Sequence, residues 1–271
     1  MDNIIAVIFG IVQGLTEFMP VSSSGHLILL HELLPGFSFT DPIAFDVALH
    51  LGTLAAVISF FWKDVIRYVL AIFRIDKTPA QQEDRRLSLL MIIGIIPAAV
   101  AGLFLEDIID MYLRSPLIVA VMLIVVAILF LVVERVDKSR FTKQMEQMTW
   151  KSALFIGLMQ IFSILLPGTS RSGITIVAGM MTKLKRDQAA RFSFLISIPL
   201  IFGAGLKKLI DLAIVGLQPE QIPVLLLGTV ASAIVGYFAI SILLQYLERR
   251  TLKAFAFYRI ALGILVLIVF I

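Results

Sequence analysis

Long apolar runs separated by short charged stretches dominate this 271-residue chain. Runs long enough to cross about 30 Å of hydrocarbon lie at 43–61, 87–105, 116–134, 189–206, 223–246 and 255–271. Two further runs, 3–33 and 151–182, are interrupted near their middles by Pro and then by Ser, Thr and Gly. Irregular backbone at membrane depth is tolerated only where it is buried in protein or lines a cavity. Each interruption therefore predicts a re-entrant helical hairpin that enters, turns at depth and leaves on the same side. The expected fold is an all-α polytopic membrane protein with six transmembrane helices and two re-entrant hairpins, in a single integral membrane domain over 1–271. Residues 1–134 carry one hairpin and three crossings, and 151–271 carry the same set. An odd number of crossings turns the second set over, so the halves are predicted to form an inverted-topology repeat.

Composition supports this and removes several classes of function. With 59% hydrophobic and 15% charged residues, the chain is far more apolar than a soluble domain. The net charge of +4 is modest and no basic stripe with interleaved aromatics occurs, so nucleic acid is not an expected partner. The absence of cysteine excludes disulfides, thiolate metal sites and cysteine-nucleophile phosphatases. The first apolar segment begins with Asp2 rather than a basic region, and no small-residue cleavage site follows it. It is therefore read as part of the fold rather than a signal peptide.

Basic residues orient the crossings, because Lys and Arg favour cytoplasmic loops. Of 23, the segments 62–86, 135–151, 183–191 and 248–253 hold 18. With those segments cytoplasmic, the outer loops keep only Arg114, Lys207 and Lys208, the two lysines as interfacial anchors, while Arg171 and Arg259 lie in membrane segments. Both termini then face outward. Hairpin 1 enters from outside and hairpin 2 from the cytoplasm, so their tips can meet near the midplane. The 135–151 loop joins the halves and shows no motif.

The two interruptions are related. The first reads Gly10-Ile-Val-Gln13-Gly-Leu-Thr-Glu17-Phe-Met-Pro20-Val-Ser22-Ser23-Ser24-Gly25-His26, and the second carries Gly157, Gln160 and then Pro167-Gly168-Thr169-Ser170-Arg171-Ser172-Gly173-Ile-Thr175. Gln13 and Glu17 share a helix face, and a carboxylate at depth is rare without a partner or a task. After Pro20, Ser22, Ser23 and Ser24 offer hydroxyls and free N–H groups at a helix start, a natural anion site. A phosphate beside Glu17 requires a bridging divalent cation, for which Mg²⁺ is the usual choice, or a protonated carboxyl. The bland reading of the serines is helix packing. His26 stands where an acid, a base or a nucleophile could act.

The second copy exchanges acid for base. Ile164 takes the position of Glu17, and Arg171 brings a permanent cation with a fork suited to two phosphate oxygens. Gly168, Ser170, Ser172 and Thr175 add hydroxyls and amides, so the segment is predicted to be a phosphate clamp. The competing structural reading is an arginine that snorkels or pairs with Glu17.

The motifs QGLTE, PVSSSGH and PGTSRSGIT, with DVALHLGT at 46–53, resemble the undecaprenyl-diphosphate phosphatase family of the bacitracin-resistance type over the whole chain. The resemblance implies an integral phosphatase of the bacterial plasma (inner) membrane. Its reaction converts undecaprenyl diphosphate to undecaprenyl phosphate and inorganic phosphate, recycling the carrier lipid for peptidoglycan synthesis and conferring bacitracin resistance, with a site facing the periplasm or exterior. By position, Gln13 and Glu17 correspond to its (E/Q)xxxE motif and to a metal site for Mg²⁺, with Ca²⁺ as the alternative. Ser22, Ser23 and His26 correspond to its serine-histidine element, and Ser170, Arg171 and Thr175 to PGxSRSxxT. Catalytic roles are expected for Glu17, Ser23, His26 and Arg171, and substrate binding for Ser22, Ser24, Gly168, Ser170, Ser172 and Thr175. The nucleophile stays open between His26, a serine and water. The expected partners are undecaprenyl diphosphate and bilayer lipid, and assembly into a homo-oligomer is compatible with the sequence.

Two other readings were weighed. Ser24-Gly25-His26 and Ser170-Arg171 echo lipid phosphatases of the phosphatidic-acid-phosphatase type, but those require a second histidine six residues after the arginine, where Val177 stands, and His31 and His50 lie in the first half. A polyprenyl-lipid flippase or transporter would have the same inverted-repeat architecture. Asp46 and His50, four apart, are expected either to line the cavity or to bond to each other. Arg259 is expected near the cytoplasmic end of the last segment, snorkelling to the interface.

Overall fold

The computed structural model describes the backbone of residues 2–34, 39, 42–75, 78–112, 115–135, 141–215, 219 and 221–270, with side chains except at 43, 105–112, 208–209 and 211–215. Arg114 and the Lys208 side chain, used above for orientation, lie outside the described residues. The helices are α1 (Asp2–Phe18), α2 (Ser23–Leu33), α3 (Pro42–Phe60), α4 (Trp62–Phe73), α5 (Pro79–Tyr112) and α6 (Pro116–Arg135) in the first half. The second half holds α7 (Trp150–Leu165), α8 (Arg171–Met181), α9 (Arg186–Val215), α10 (Gln221–Arg249) and α11 (Lys253–Phe270). Five helices, α5, α6, α9, α10 and α11, are long and apolar enough to cross a membrane, and α3 with α4 makes a sixth if that pair, bent by 83°, is one span. The protein is an all-helical, multi-pass membrane protein.

One expectation needs amendment. Charges that interrupt the hydropathy predict a loop over 62–86, yet the segment contains α4. That helix exposes Ile66, Val69, Leu70 and Phe73, while Asp64 pairs with Arg191 of α9 and with Arg67. Apolar and charged residues sharing an amphipathic helix explain why averaging over the segment hid it.

The basic segments gather on one face. Arg86 donates to the Met148 carbonyl, Lys143 bridges Leu184, and Arg191 reaches Asp64. Glu134, at the end of α6, is held in a two-point pair by Arg186 at 2.8 and 2.6 Å and accepts the Leu252 N–H at 3.0 Å. Segments that the sequence placed on one side of the membrane are thus in mutual contact.

The halves exchange their broken helices. α1 packs most extensively on α10, and α7 on α5. Small residues make both approaches. A Cβ on Gly10 would strike the Gly228 carbonyl, and one on Gly157 would stand 2.5 Å from that of Gly94. Membrane helices approach this closely only where both surfaces are small. Across the middle, Phe18 of α1 meets Phe194 of α9 edge-on, with centroids 5.3 Å apart. The two polar breaks therefore sit between halves.

Candidate active site

Each break is a short irregular link between helices. Residues 19–22 separate α1 from α2, and 166–170 separate α7 from α8. Both close in the same way. Ser22, with φ 76°, caps α2 by accepting the Gly25 N–H at 3.2 Å, and Ser170, with φ 70°, caps α8 by accepting the Gly173 N–H at 3.2 Å. A left-handed serine costs on the order of 1 kcal/mol or more, so these caps are over-determined by their surroundings. The second link is one residue longer, and Gly168, at φ 91°, takes up the difference. A Cβ there would lie 2.6 Å from the Val119 carbonyl oxygen.

This geometry corrects the register read from the prolines. Matching Pro20 to Pro167 sets Ser23 against Ser170, whereas the caps set Ser22 against Ser170 and therefore Ser23 against Arg171. A hydroxyl and a guanidinium occupy the same first position of the helices that follow the two breaks.

Glu17 is the hub. Its Oε2 accepts the Ser23 hydroxyl at 2.6 Å and Gln13 Nε2 at 3.1 Å, and its Oε1 accepts Arg171 Nη2 at 2.7 Å. His50 Nε2 stands 3.5 Å from Oε2. The Glu17 side chain is only 5% exposed. Two opposed charges with this many hydrogen bonds offset the desolvation that an isolated carboxylate would suffer. A short charge-assisted bond from Ser23 also puts a proton acceptor directly on that hydroxyl, the arrangement that activates a serine.

The remaining hydroxyls take different posts. Ser24 is exposed and lies 3.4 Å from Ser22 Oγ. Ser172 Oγ is 3.2 Å from Ser170 Oγ and donates to the Met19 carbonyl of the other break, also at 3.2 Å. Thr175, expected to bind substrate, is buried one turn into α8, where it donates to the Arg171 carbonyl and meets Ser193 Oγ at 2.6 Å. His26 directs Nδ1 to the Ser22 carbonyl at 2.7 Å and Nε2 to the Tyr258 hydroxyl at 2.8 Å.

Two expectations change. Arg259 does not snorkel; it is fully buried, the largest such side chain described. It donates to the carbonyls of Pro20 in the first break, of Gly168 and Thr169 in the second, and of Met122 and Leu123 in α6. An arginine can lie at this depth because backbone carbonyls, three of them in the two breaks, accept from each of its three nitrogens. Arg171 lies on Glu17 rather than standing open, so the pairing weighed as the structural alternative is present. Asp46 and His50 bond to each other through the backbone, His50 Nδ1 donating to the Asp46 carbonyl at 2.8 Å, while the Asp46 carboxylate takes His31 at 2.9 Å. His50 Nε2 turns to Glu17. Sequence reasoning missed Tyr258, Ser193 and the role of Arg259. An arginine inside an apolar membrane segment was the available clue for the last.

Among the described residues no group of three or more His, Asp or Glu side chains converges. Glu17, the Ser23 hydroxyl and Gln13 supply hard oxygens, and Gln13 Oε1 is buried with no hydrogen-bond partner. One carboxylate with neutral oxygens suits Mg²⁺, which keeps several waters and is completed by phosphate oxygens. The residues fit such an ion.

The model of the bacitracin resistance protein BacA family matches residues 6–265. A Rubrobacter xylanophilus protein named undecaprenyl-diphosphatase is 44% identical over 263 residues, covering 96% of each chain. One of that name from Geotalea daltonii is 42% identical over 270 residues, covering 99% of this chain and 98% of the relative. Both polar breaks, with Gln13, Glu17, Ser23 and Arg171, lie inside the matched region, and the chain belongs to the bacitracin resistance protein BacA family.

Proposed function

We propose that this protein is an undecaprenyl-diphosphate phosphatase, releasing the terminal phosphate of the carrier lipid diphosphate within the bacterial plasma membrane. The names of its relatives support the reaction. The observation that carries the mechanism is the 2.6 Å bond from Ser23 to Glu17, with Arg171 on the other carboxylate oxygen.

In this reading the prenyl tail stays in the bilayer and the diphosphate enters between the breaks. Arg171 transfers from Glu17 to the terminal phosphoryl oxygens, where its fork holds two of them. Freed of its cation, Glu17 takes the Ser23 proton as Ser23 Oγ attacks the terminal phosphorus. The bond to the bridging oxygen breaks, undecaprenyl phosphate leaves with the electron pair, and Ser23 carries the phosphoryl group. Water then attacks that group with its proton taken by His26, the serine–phosphorus bond breaks, Glu17 returns its proton to Ser23 Oγ, and inorganic phosphate leaves. Glu17 and Gln13 would hold Mg²⁺, or Ca²⁺, which when bound supplies charge neutralisation to the transferring phosphoryl. Positioning and electrostatics carry most of the rate in such transfers.

The clustering of basic segments on one face supports a cytoplasmic position for that face, with hairpin 1 entering from the outside and the site open to the exterior. Phosphate release from undecaprenyl diphosphate in proteoliposomes, with substrate supplied on one side at a time, tests reaction and orientation together. Transbilayer lipid movement without phosphate release would replace this reading by that of a flippase.

A further inference from the structure

Nothing in the proposed chemistry uses Tyr258, yet its hydroxyl lies 2.8 Å from His26 Nε2. The two rings are parallel to within 3°, with centroids 5.8 Å apart. On the opposite edge of the imidazole, Nδ1 lies 2.7 Å from the Ser22 carbonyl oxygen. A carbonyl can only accept, so Nδ1 carries a hydrogen. In the neutral ring the lone pair is then on Nε2, and the tyrosine O–H donates into it.

The next residue fixes where that hydroxyl stands. Arg259 is bonded to carbonyls of both breaks, so the turn of α11 bearing Tyr258 cannot slide relative to them. A hydroxyl has a property that no carboxylate or amide N–H shares: it both donates and accepts. With both ring nitrogens occupied, a proton reaches Nε2 through this hydroxyl, which gives Nε2 its own hydrogen, takes the incoming one and then accepts from Nε2–H without moving its ring.

We infer that Tyr258 is a positioning residue for His26, holding the imidazole in the Nδ1–H tautomer with Nε2 as the proton-exchanging nitrogen in both of its protonation states. This rests on the reading of His26 as a proton carrier in the phosphatase reaction. It places α11, at the far end of the sequence, in the catalytic apparatus through one hydroxyl.

The test is Tyr258→Phe, which keeps the ring and removes the hydroxyl. With only His26, His31 and His50 in the chain, histidine-selective ¹⁵N labelling in detergent micelles resolves each imidazole, and His26 is assigned by His26→Asn. In the unmodified protein His26 is expected to show a protonated-type Nδ1 and an unprotonated-type Nε2. In the Phe variant it should show exchange between tautomers, with His31 and His50 unchanged as references. Turnover on a prenyl diphosphate should fall about tenfold, a fraction of what a positioned proton carrier supplies, with KM within about twofold of the unmodified value. Turnover within about twofold of the unmodified protein, or identical His26 signals in the two proteins, would overturn the inference. If the unmodified protein releases no phosphate, the phosphatase reading fails, and the ¹⁵N spectra alone then decide whether Tyr258 sets the tautomer.

Discussion

Glu17 and Arg171, 154 positions apart in the chain, meet at 2.7 Å between the two breaks. The pair closes the site and marks where an anion must enter. A diphosphate competes with Glu17 for the guanidinium, and the carboxylate it releases is the one already bonded to Ser23.

Ser23→Ala removes the hydroxyl and leaves Glu17 and Arg171 paired. Turnover on a prenyl diphosphate is expected to fall by about 10³-fold or more, as when a covalent nucleophile is deleted, with thermal stability nearly unchanged because Ser23 is only part-buried. Brief incubation of the unmodified protein with substrate labelled in the terminal phosphate, then acid quench, should leave label on the protein and none on the variant. Equal labelling would move the nucleophile away from Ser23.

Arg171→Lys keeps the charge and loses the fork. Glu17 stays paired, so the fold survives, but two-point contact with the phosphoryl group is lost. Turnover should drop by about 10²-fold, the scale of losing one preorganised donor to a transferring group. Initial-rate kinetics on the purified variant check this, and undiminished turnover would sink the clamp.

Arg259→Met tests the buried arginine as a structural tie. Five carbonyl acceptors lose their donor, and unsatisfied buried groups cost about 1–3 kcal/mol each, not additively. A loss of at least about 4 kcal/mol is expected on that basis. In detergent this would lower the unfolding midpoint by roughly 10 °C. Arg259→Lys should fall between, since an ammonium has three donors and no fan to span both breaks.

Chelation bears on the proposed cation. Treatment with EDTA should abolish phosphate release and added Mg²⁺ should restore it, while Gln13→Ala should raise the Mg²⁺ concentration needed for half-maximal rate by about tenfold. Full activity in EDTA would remove the metal from the scheme.

The sequence made the helices and the two breaks legible, because a run of some twenty apolar residues and its interruption by Pro, Ser and Gly are local signals. Glu17, Ser23 and Arg171 stood out for the same reason, as polar groups in hydrocarbon. What stayed hidden depends on partners distant in sequence. Arg259 resembled an end-of-helix arginine because its acceptors are carbonyls, which carry no sequence signature, and Tyr258 belongs to no motif. The one-residue register shift was invisible because proline is a stronger landmark than the serine caps that set the helix starts.

The exchange of broken helices between halves has a consequence for biogenesis. When α1 emerges from the ribosome, the helix it packs on, α10, is still some 200 residues from synthesis, and so is the arginine that accommodates the Pro20 carbonyl. The first polar break must be inserted before anything exists to shield it. Its hydroxyls and carboxylate have to stay near the water interface or be held by the insertion machinery until the last two helices arrive. Native assembly is therefore a late, whole-chain event, and a nascent chain stopped before α10 should remain exposed to quality-control proteases.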